Sequence, residues 1–296
     1  MPLATPAPVQ NAATAAITLV RATPVLVAAS ARAGTNPTTL ARASHVVEAA
    51  VTTLVRARPD KVPKGQSAPN QRTPVSTLVS REDAARSALG RQLRLAQQGR
   101  SLLHPFIGRS RRFEIWQHYP RHDAMDNTGR WQFYFHAHDP AESASAPHNQ
   151  EHGHIHLFRR DPQGRLSHLT GLSLDSKGIP LRWFAPNQWV TGERWIKAAP
   201  LARNLQAIEL SLRGPLAGAA LWLADMVRFY AEDLRQLLHD RDEALAHYCT
   251  RHSLSSPQAW ADRRVAVWCS KSIHWPQDAL QLAAPVSSSP QSRSFS

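Results

Sequence analysis

All nine Trp, four Tyr and eight Phe of this chain lie after residue 105. Aromatic side chains supply much of the area that a core buries, so the first third has little with which to build one. Residues 1–80 are dominated by Ala, Thr, Pro, Val and Arg, with neither a 3.6-residue period nor strict alternation. A disordered Ala/Pro/Thr/Arg-rich extension is expected over 1–80, and a second disordered tail over 285–296. Arg21 and Pro24 cut the one apolar stretch of the extension into short pieces, and no basic residue precedes it, which argues against a cleaved leader.

The net charge of +13 is spread thinly. The extension carries eight Lys and Arg against Glu48 and Asp60, and the remainder has no basic run of the kind that grips phosphates, so nucleic acid is not an expected partner. A hydrophobic fraction of 42% suits a globular body, yet no uncharged apolar run approaches the roughly 18 residues a membrane span needs. The expectation is a cytoplasmic protein with no membrane partner. Cys249 and Cys269 make neither a disulfide framework nor a CxxC zinc ribbon.

From residue 81 to 284 the pattern is that of a single α+β domain: an antiparallel β-sheet bearing a histidine cluster, covered on one side by C-terminal helices. Ser80 with Glu82 and Asp83 predicts a helix start, and apolar spacing carries that helix to Gly99. Short alternating runs over 113–119, 131–138, 152–160, 168–174 and 181–184 predict strands. Asp126-Asn127-Thr128-Gly129, Asp161-Pro162-Gln163-Gly164 and Asp175-Ser176-Lys177-Gly178 predict tight turns between them. Helical spacing returns at Leu201, Leu205, Ile208 and Leu212, and a longer helix is predicted from about 216 to 248. Short strands are predicted at 265–268 and 273–275.

Nine of the fifteen histidines fall between His118 and His168. Side chains two apart on a strand share a face, about 6.6–6.8 Å along it. That rule puts Trp131, Phe133 and Phe135 on one face and Tyr134, His136 and His138 on the other, and it aligns His152, His154 and His156. Two neighbouring strands thereby direct five imidazoles to one side of a sheet. Imidazoles at this spacing can converge on one divalent ion, zinc, iron, manganese or nickel, through His136, His138, His152, His154 and His156. His118 and His122 are further candidates, and Glu151, Asp175 and Glu193 are the nearby carboxylates. Glu151, Glu193 and His154 are the candidate catalytic residues. A metal with an open position would activate water or dioxygen for chemistry on an unknown small molecule, with affinity falling below about pH 6 as imidazole protonates.

Two other readings stand beside this one. His152-Gly153-His154-Ile155-His156-Leu157-Phe158 resembles the histidine-triad motif of nucleotide hydrolases and transferases, which implies His154 as a nucleophile on phosphorus; Gly153 departs from it at a hydrophobic position. A non-enzymatic interaction or structural module, whose histidines merely form a polar face, is the third. Trp189 and Trp195, either side of Thr191-Gly192-Glu193, either wall the site or pack a hairpin. The series Trp116-Gln117-His118-Tyr119-Pro120, Tyr134-Phe135-His136-Ala137-His138, Glu151 to Phe158, Asn187-Gln188-Trp189-Val190-Thr191-Gly192-Glu193 and Arg241-Asp242-Glu243-Ala244 is similar to a family of uncharacterised bacterial proteins that share a domain of unknown function. The resemblance covers about residues 100–282 and implies a domain identity without an activity.

Overall fold

Strand formation starts from the turns. Asp126 sits at the first one, where its Oδ1 accepts from the backbone N–H groups of Arg130 and Trp131 at 2.9 Å each and its Oδ2 accepts from the Thr128 hydroxyl at 2.6 Å. Asp161 and Asp175 do the same at the next two turns. Gly129, Gly164 and Gly178 take the positive φ that closes each turn. The computed structural model of the chain describes residues 79–108, 113–139 and 151–283; almost all of the expected extension and the whole expected tail lie outside the described residues. Residues 76–279 form one compact unit.

The strands are β1 (Tyr119–Met125), β2 (Trp131–Ala137), β3 (Gly153–Arg160), β4 (Leu166–Leu174), β5 (Pro180–Pro186) and β6 (Val267–Ser272). They form one sheet in sequence order, every pair antiparallel. Helices precede and interrupt the meander: α1 (Arg81–Gln97), α2 (His104–Ile107), α3 (Gln188–Thr191), α4 (Ala198–Leu201), α5 (Ala217–Phe229), α6 (Ala231–His252), α7 (Ser256–Trp260) and α8 (Gln277–Ala283). No helix among the described residues is long and apolar enough to cross a membrane.

In the β2–β3 ladder Phe133 lies opposite Leu157 and Phe135 opposite Ile155, and all four are fully buried. Leu172 and Trp183 continue this face across β4 and β5. Phe106 of α2 packs on the rings of Phe133 and Phe135, with centroids 6.1 and 5.7 Å away. The C-terminal part of the chain covers the same face, with α6 lying against β5 and β6. The Cys269 thiol donates to the Leu237 carbonyl at 3.2 Å, and Lys271 pairs with Asp233 at 2.5 Å. Helix α1 starts at Ser80, whose Oγ accepts from the Asp83 N–H at 3.0 Å, and it lays Ala84, Ala85 and Ala88 against α5.

The elements depart from the predicted ones in four places. Residues 113–118 make only a single bridge, Ile115 to Ala137, because Trp116 has φ of 63° and breaks the extended run; β1 begins at Tyr119. Leu201, Leu205 and Ile208 are buried as their spacing requires, yet Asn204 takes φ of 64° and Ile208 is extended, so only α4 and a 3-10 turn at Leu205–Ala207 form there. The long helix breaks at Tyr230, whose hydroxyl donates to Asp278 at 2.6 Å. β6 overlaps the first of its two predicted pieces at 267–268 and ends before the second, since an edge strand exposed along most of its length carries little alternation.

Gly153 has a packing reason to be glycine. A Cβ there would meet the His136 carbonyl oxygen at 2.2 Å and the Phe135 ring at 2.6 Å. Gly153→Ala is expected to lower folding stability by about 1–3 kcal/mol, the range for overpacking, measured by chemical denaturation. An unchanged midpoint would mean the β2–β3 approach is looser than described.

Candidate metal centre

The register that buries Phe133, Phe135, Ile155 and Leu157 turns the alternate residues to the opposite face. His136 stands opposite His154, and Tyr134 opposite His156. The imidazoles of the two strands meet: His136 Nε2 lies 2.6 Å from His154 Nε2, which lies 2.8 Å from His156 Nε2. His138 completes the group just past the end of β2, its ring centroid 4.6 Å from that of His154 and 5.3 Å from that of His136. Ligand nitrogens of His136, His138 and His154 all fall within 4.8 Å of one another, so these three could hold a metal ion.

Outer contacts set the direction of the rings. Glu151 Oε1 accepts from His154 Nδ1 at 2.7 Å and lies 3.7 Å from His138 Nδ1. Its Oε2 accepts from Arg182 Nη2 at 2.9 Å. A carboxylate only accepts here, so the proton of His154 sits on Nδ1 and its Nε2 keeps a lone pair. His156 Nδ1 lies 2.8 Å from His168 Nε2, a ring contact of the same kind. Such outer partners hold a metal-binding histidine in one tautomer and orientation. His154 Nε2 therefore has one in-plane lone pair and two nitrogens pressed against it, more than a single linear hydrogen bond can satisfy.

Burial keeps the rings neutral. Desolvation, followed by the repulsion of His138 and His118, lowers His136 to about 3. His154 and His156 are held well below 6.5, again by burial first and neighbouring imidazoles second. Phe184 forms part of the wall, 4.8 Å from His154 and 5.9 Å from His156. It needs Gly171 opposite it, where a Cβ would strike its ring at 2.2 Å. Trp116 covers the outer side, its ring 5.5 Å from His136 and 5.1 Å from His138.

His152 is not brought into the cluster. It lies one residue before β3, where the pleat no longer sets side-chain direction, and its ring turns to Phe113 at 5.7 Å and Phe135 at 6.3 Å. His118 binds Asp123 at 2.9 Å and stacks on Tyr134 at 3.6 Å, and His122 is exposed. Of the three carboxylates, Glu151 alone touches the cluster. Asp175 accepts from backbone N–H groups in its turn. Glu193 lies where it and Asp123 both bear on Tyr134, and burial raises its own carboxyl.

The remaining motif residues hold the chain rather than the cluster. Asn187 is fully buried; its Nδ2 donates to the Ala259 and Val265 carbonyls at 3.0 Å each, and its Oδ1 accepts from the Gln188 N–H and the Trp268 indole. Trp189 donates to the Val265 carbonyl, while Trp195 stacks on Trp260 and carries the Arg241 guanidinium 4.2 Å above it. The two tryptophans therefore pack the helical layer instead of walling the histidines. Arg241 also donates to the Ile196 carbonyl, and Asp242 accepts from the Ala198 N–H. Trp116, His168 and Arg182 border the centre without having been singled out for it. Among these His168 had a signal, as a member of the histidine-rich stretch, whereas nothing local distinguishes Arg182.

No curated protein and no solved structure matches the chain at a significant level. A family model described as a domain of unknown function (DUF6969) matches residues 82–273, which take in the sheet, α1 and the histidine cluster. By that match the chain belongs to the DUF6969 family.

Proposed function

We propose that this domain binds one divalent metal ion through His136, His138 and His154, with His156 packed beside them, and uses the fourth position on that ion for chemistry on a small molecule. The observation that carries the reading is the crowding at His154 Nε2, which lies within 2.8 Å of both His136 Nε2 and His156 Nε2 while Glu151 holds the proton on Nδ1. A cation accepts lone pairs from several directions at once, which a single proton cannot do. Metal–nitrogen bonds of about 2.0–2.1 Å at tetrahedral angles place ligand nitrogens roughly 3.3 Å apart, so loading requires the His136 and His154 nitrogens, now 2.6 Å apart, to spread by about 0.7 Å. An all-imidazole set suits zinc, iron or nickel, and manganese less well.

Bound in this way, the ion supplies a Lewis acid and lowers the pKa of coordinated water. The protein's part is orientation and exclusion of water: Glu151 and His168 fix two of the rings, and Phe184 and Tyr134 close the sides. The histidine-triad reading loses support from the same contacts. His154 is buried, its Nδ1 is spent on Glu151 and its Nε2 is flanked by two rings, which leaves no lone pair directed at an incoming phosphorus.

Elemental analysis of protein purified without a histidine tag is expected to find one transition metal per chain. The double substitution His136→Gln with His154→Gln should lower that content at least tenfold. Wild-type protein that is metal-free and takes up none on titration would remove the reading, and would favour a structural role for the histidines.

Acid sensitivity gives a second expectation. In the unfolded chain the rings titrate near 6.5, while in the fold His136 is held at about 3 and His154 and His156 well below 6.5. Below 6.5 the unfolded state therefore binds protons that the folded state refuses, and stability falls as the pH drops. The folded rings do not protonate near pH 6, which moves acid release of the ion below the value that ordinary imidazoles would give. Metal loss and unfolding should coincide in one transition on acidification, followed by circular dichroism and a metal-indicator dye. Release near pH 6 with the fold intact would contradict this.

A further inference from the structure

The charge around the histidines does not balance that of a divalent ion. Imidazole ligands are neutral, and the carboxylate that touches them, Glu151, is itself paired with the Arg182 guanidinium at 2.9 Å. An ion bound among these groups keeps most of its double charge in a largely buried site, where an unpaired charge is expensive. An anion entering its coordination sphere relieves that cost.

The outer side of the cluster is where such an anion would arrive, and Trp116 stands there. Its side chain is 55% exposed, its neighbour Ile115 is 45% exposed, and its ring lies against His136 and His138. Its φ of 63° is the left-handed conformation that a bulky residue adopts only under constraint, and such constraint gathers at functional sites. This indole is withheld from the core and held at the edge of the cluster.

We propose that the outer side of the centre, beside Trp116, takes a small carboxylate: one carboxylate oxygen coordinates the ion, and the apolar body of the molecule packs on the indole. The proposal rests on the metal reading above. It makes Trp116 a substrate-contacting residue that selects flat or apolar carboxylates over short ones. Chemically related inorganic anions would reach the ion without gaining anything from the indole.

The test uses the full chain loaded with Co²⁺, whose visible absorption responds to a new ligand, and three probes: acetate, benzoate and uncharged benzyl alcohol. Each protein is brought to the same cobalt content before titration. Benzoate is expected to shift the spectrum with about twofold to tenfold higher affinity than acetate, the range for one ring contact, and benzyl alcohol to leave it unchanged. Trp116→Ala should bring benzoate to the affinity of acetate, and Trp116→Phe should restore part of the difference. Cobalt-loaded protein that responds to neither carboxylate overturns the proposal while sparing the metal reading. A benzoate preference that survives Trp116→Ala overturns the role of the indole, and protein that takes up no cobalt overturns both.

Discussion

The pairing of His136 with His154 across the β2–β3 ladder governs the rest of the architecture. The same register places Phe133 against Leu157 and Phe135 against Ile155, so the apolar core and the imidazole cluster are two sides of one set of hydrogen bonds. A slip of one residue would turn every side chain of β3 to the other face, exposing the aliphatic residues and burying the histidines under α2. Core burial thus enforces the position of the cluster. Gly153 and Gly171 permit this arrangement by leaving room for the rings of Phe135 and Phe184.

Four imidazoles on a buried face are a burden to the metal-free fold. Burial holds His136, His154 and His156 neutral, and the proton arrangement around His154 cannot satisfy all of its neighbours at once. Buried polar groups in this condition are costly. The surrounding fold supplies the compensation through large apolar side chains, including Trp183, Trp222, Phe158 and Phe229, each almost completely buried. Glu151 adds a local offset: it pairs with the Arg182 guanidinium while accepting from the neutral His154 ring, so that neither charge is left isolated.

The motif segments divide by what they touch. Tyr134 to His138 and Glu151 to Phe158 build the cluster. Asn187 to Glu193 and Arg241 to Ala244 act as clasps, with Asn187 holding the segment from Ala259 to Val265 before β6 and Arg241 with Asp242 holding the chain between α3 and α4. In one dimension these two kinds of motif look alike, because polar residues in a fixed order can equally serve catalysis or saturate buried backbone groups. His168 and Arg182 show the opposite case: His168 meets His156 on the neighbouring β3 and Arg182 meets Glu151 just before β3, and no local pattern announces either partner.

By itself the sequence determined strands β2 to β5, the Asp-to-Gly turns and the facing of His136, His154 and His156, since a period of two and a turn's need for positive φ are local properties of the chain. Tertiary structure decided the rest. It turned His152 toward Phe113 and Phe135, because a residue outside the ladder is directed by packing rather than by the pleat. It also interrupted the helical spacing at Leu201 to Leu212 and broke the long helix at Tyr230, where burial of the same leucines was compatible with more than one backbone path. Above all it chose Glu151 from three nearby carboxylates and set Trp116 over the rings, choices made by distances between strands that only the folded chain defines.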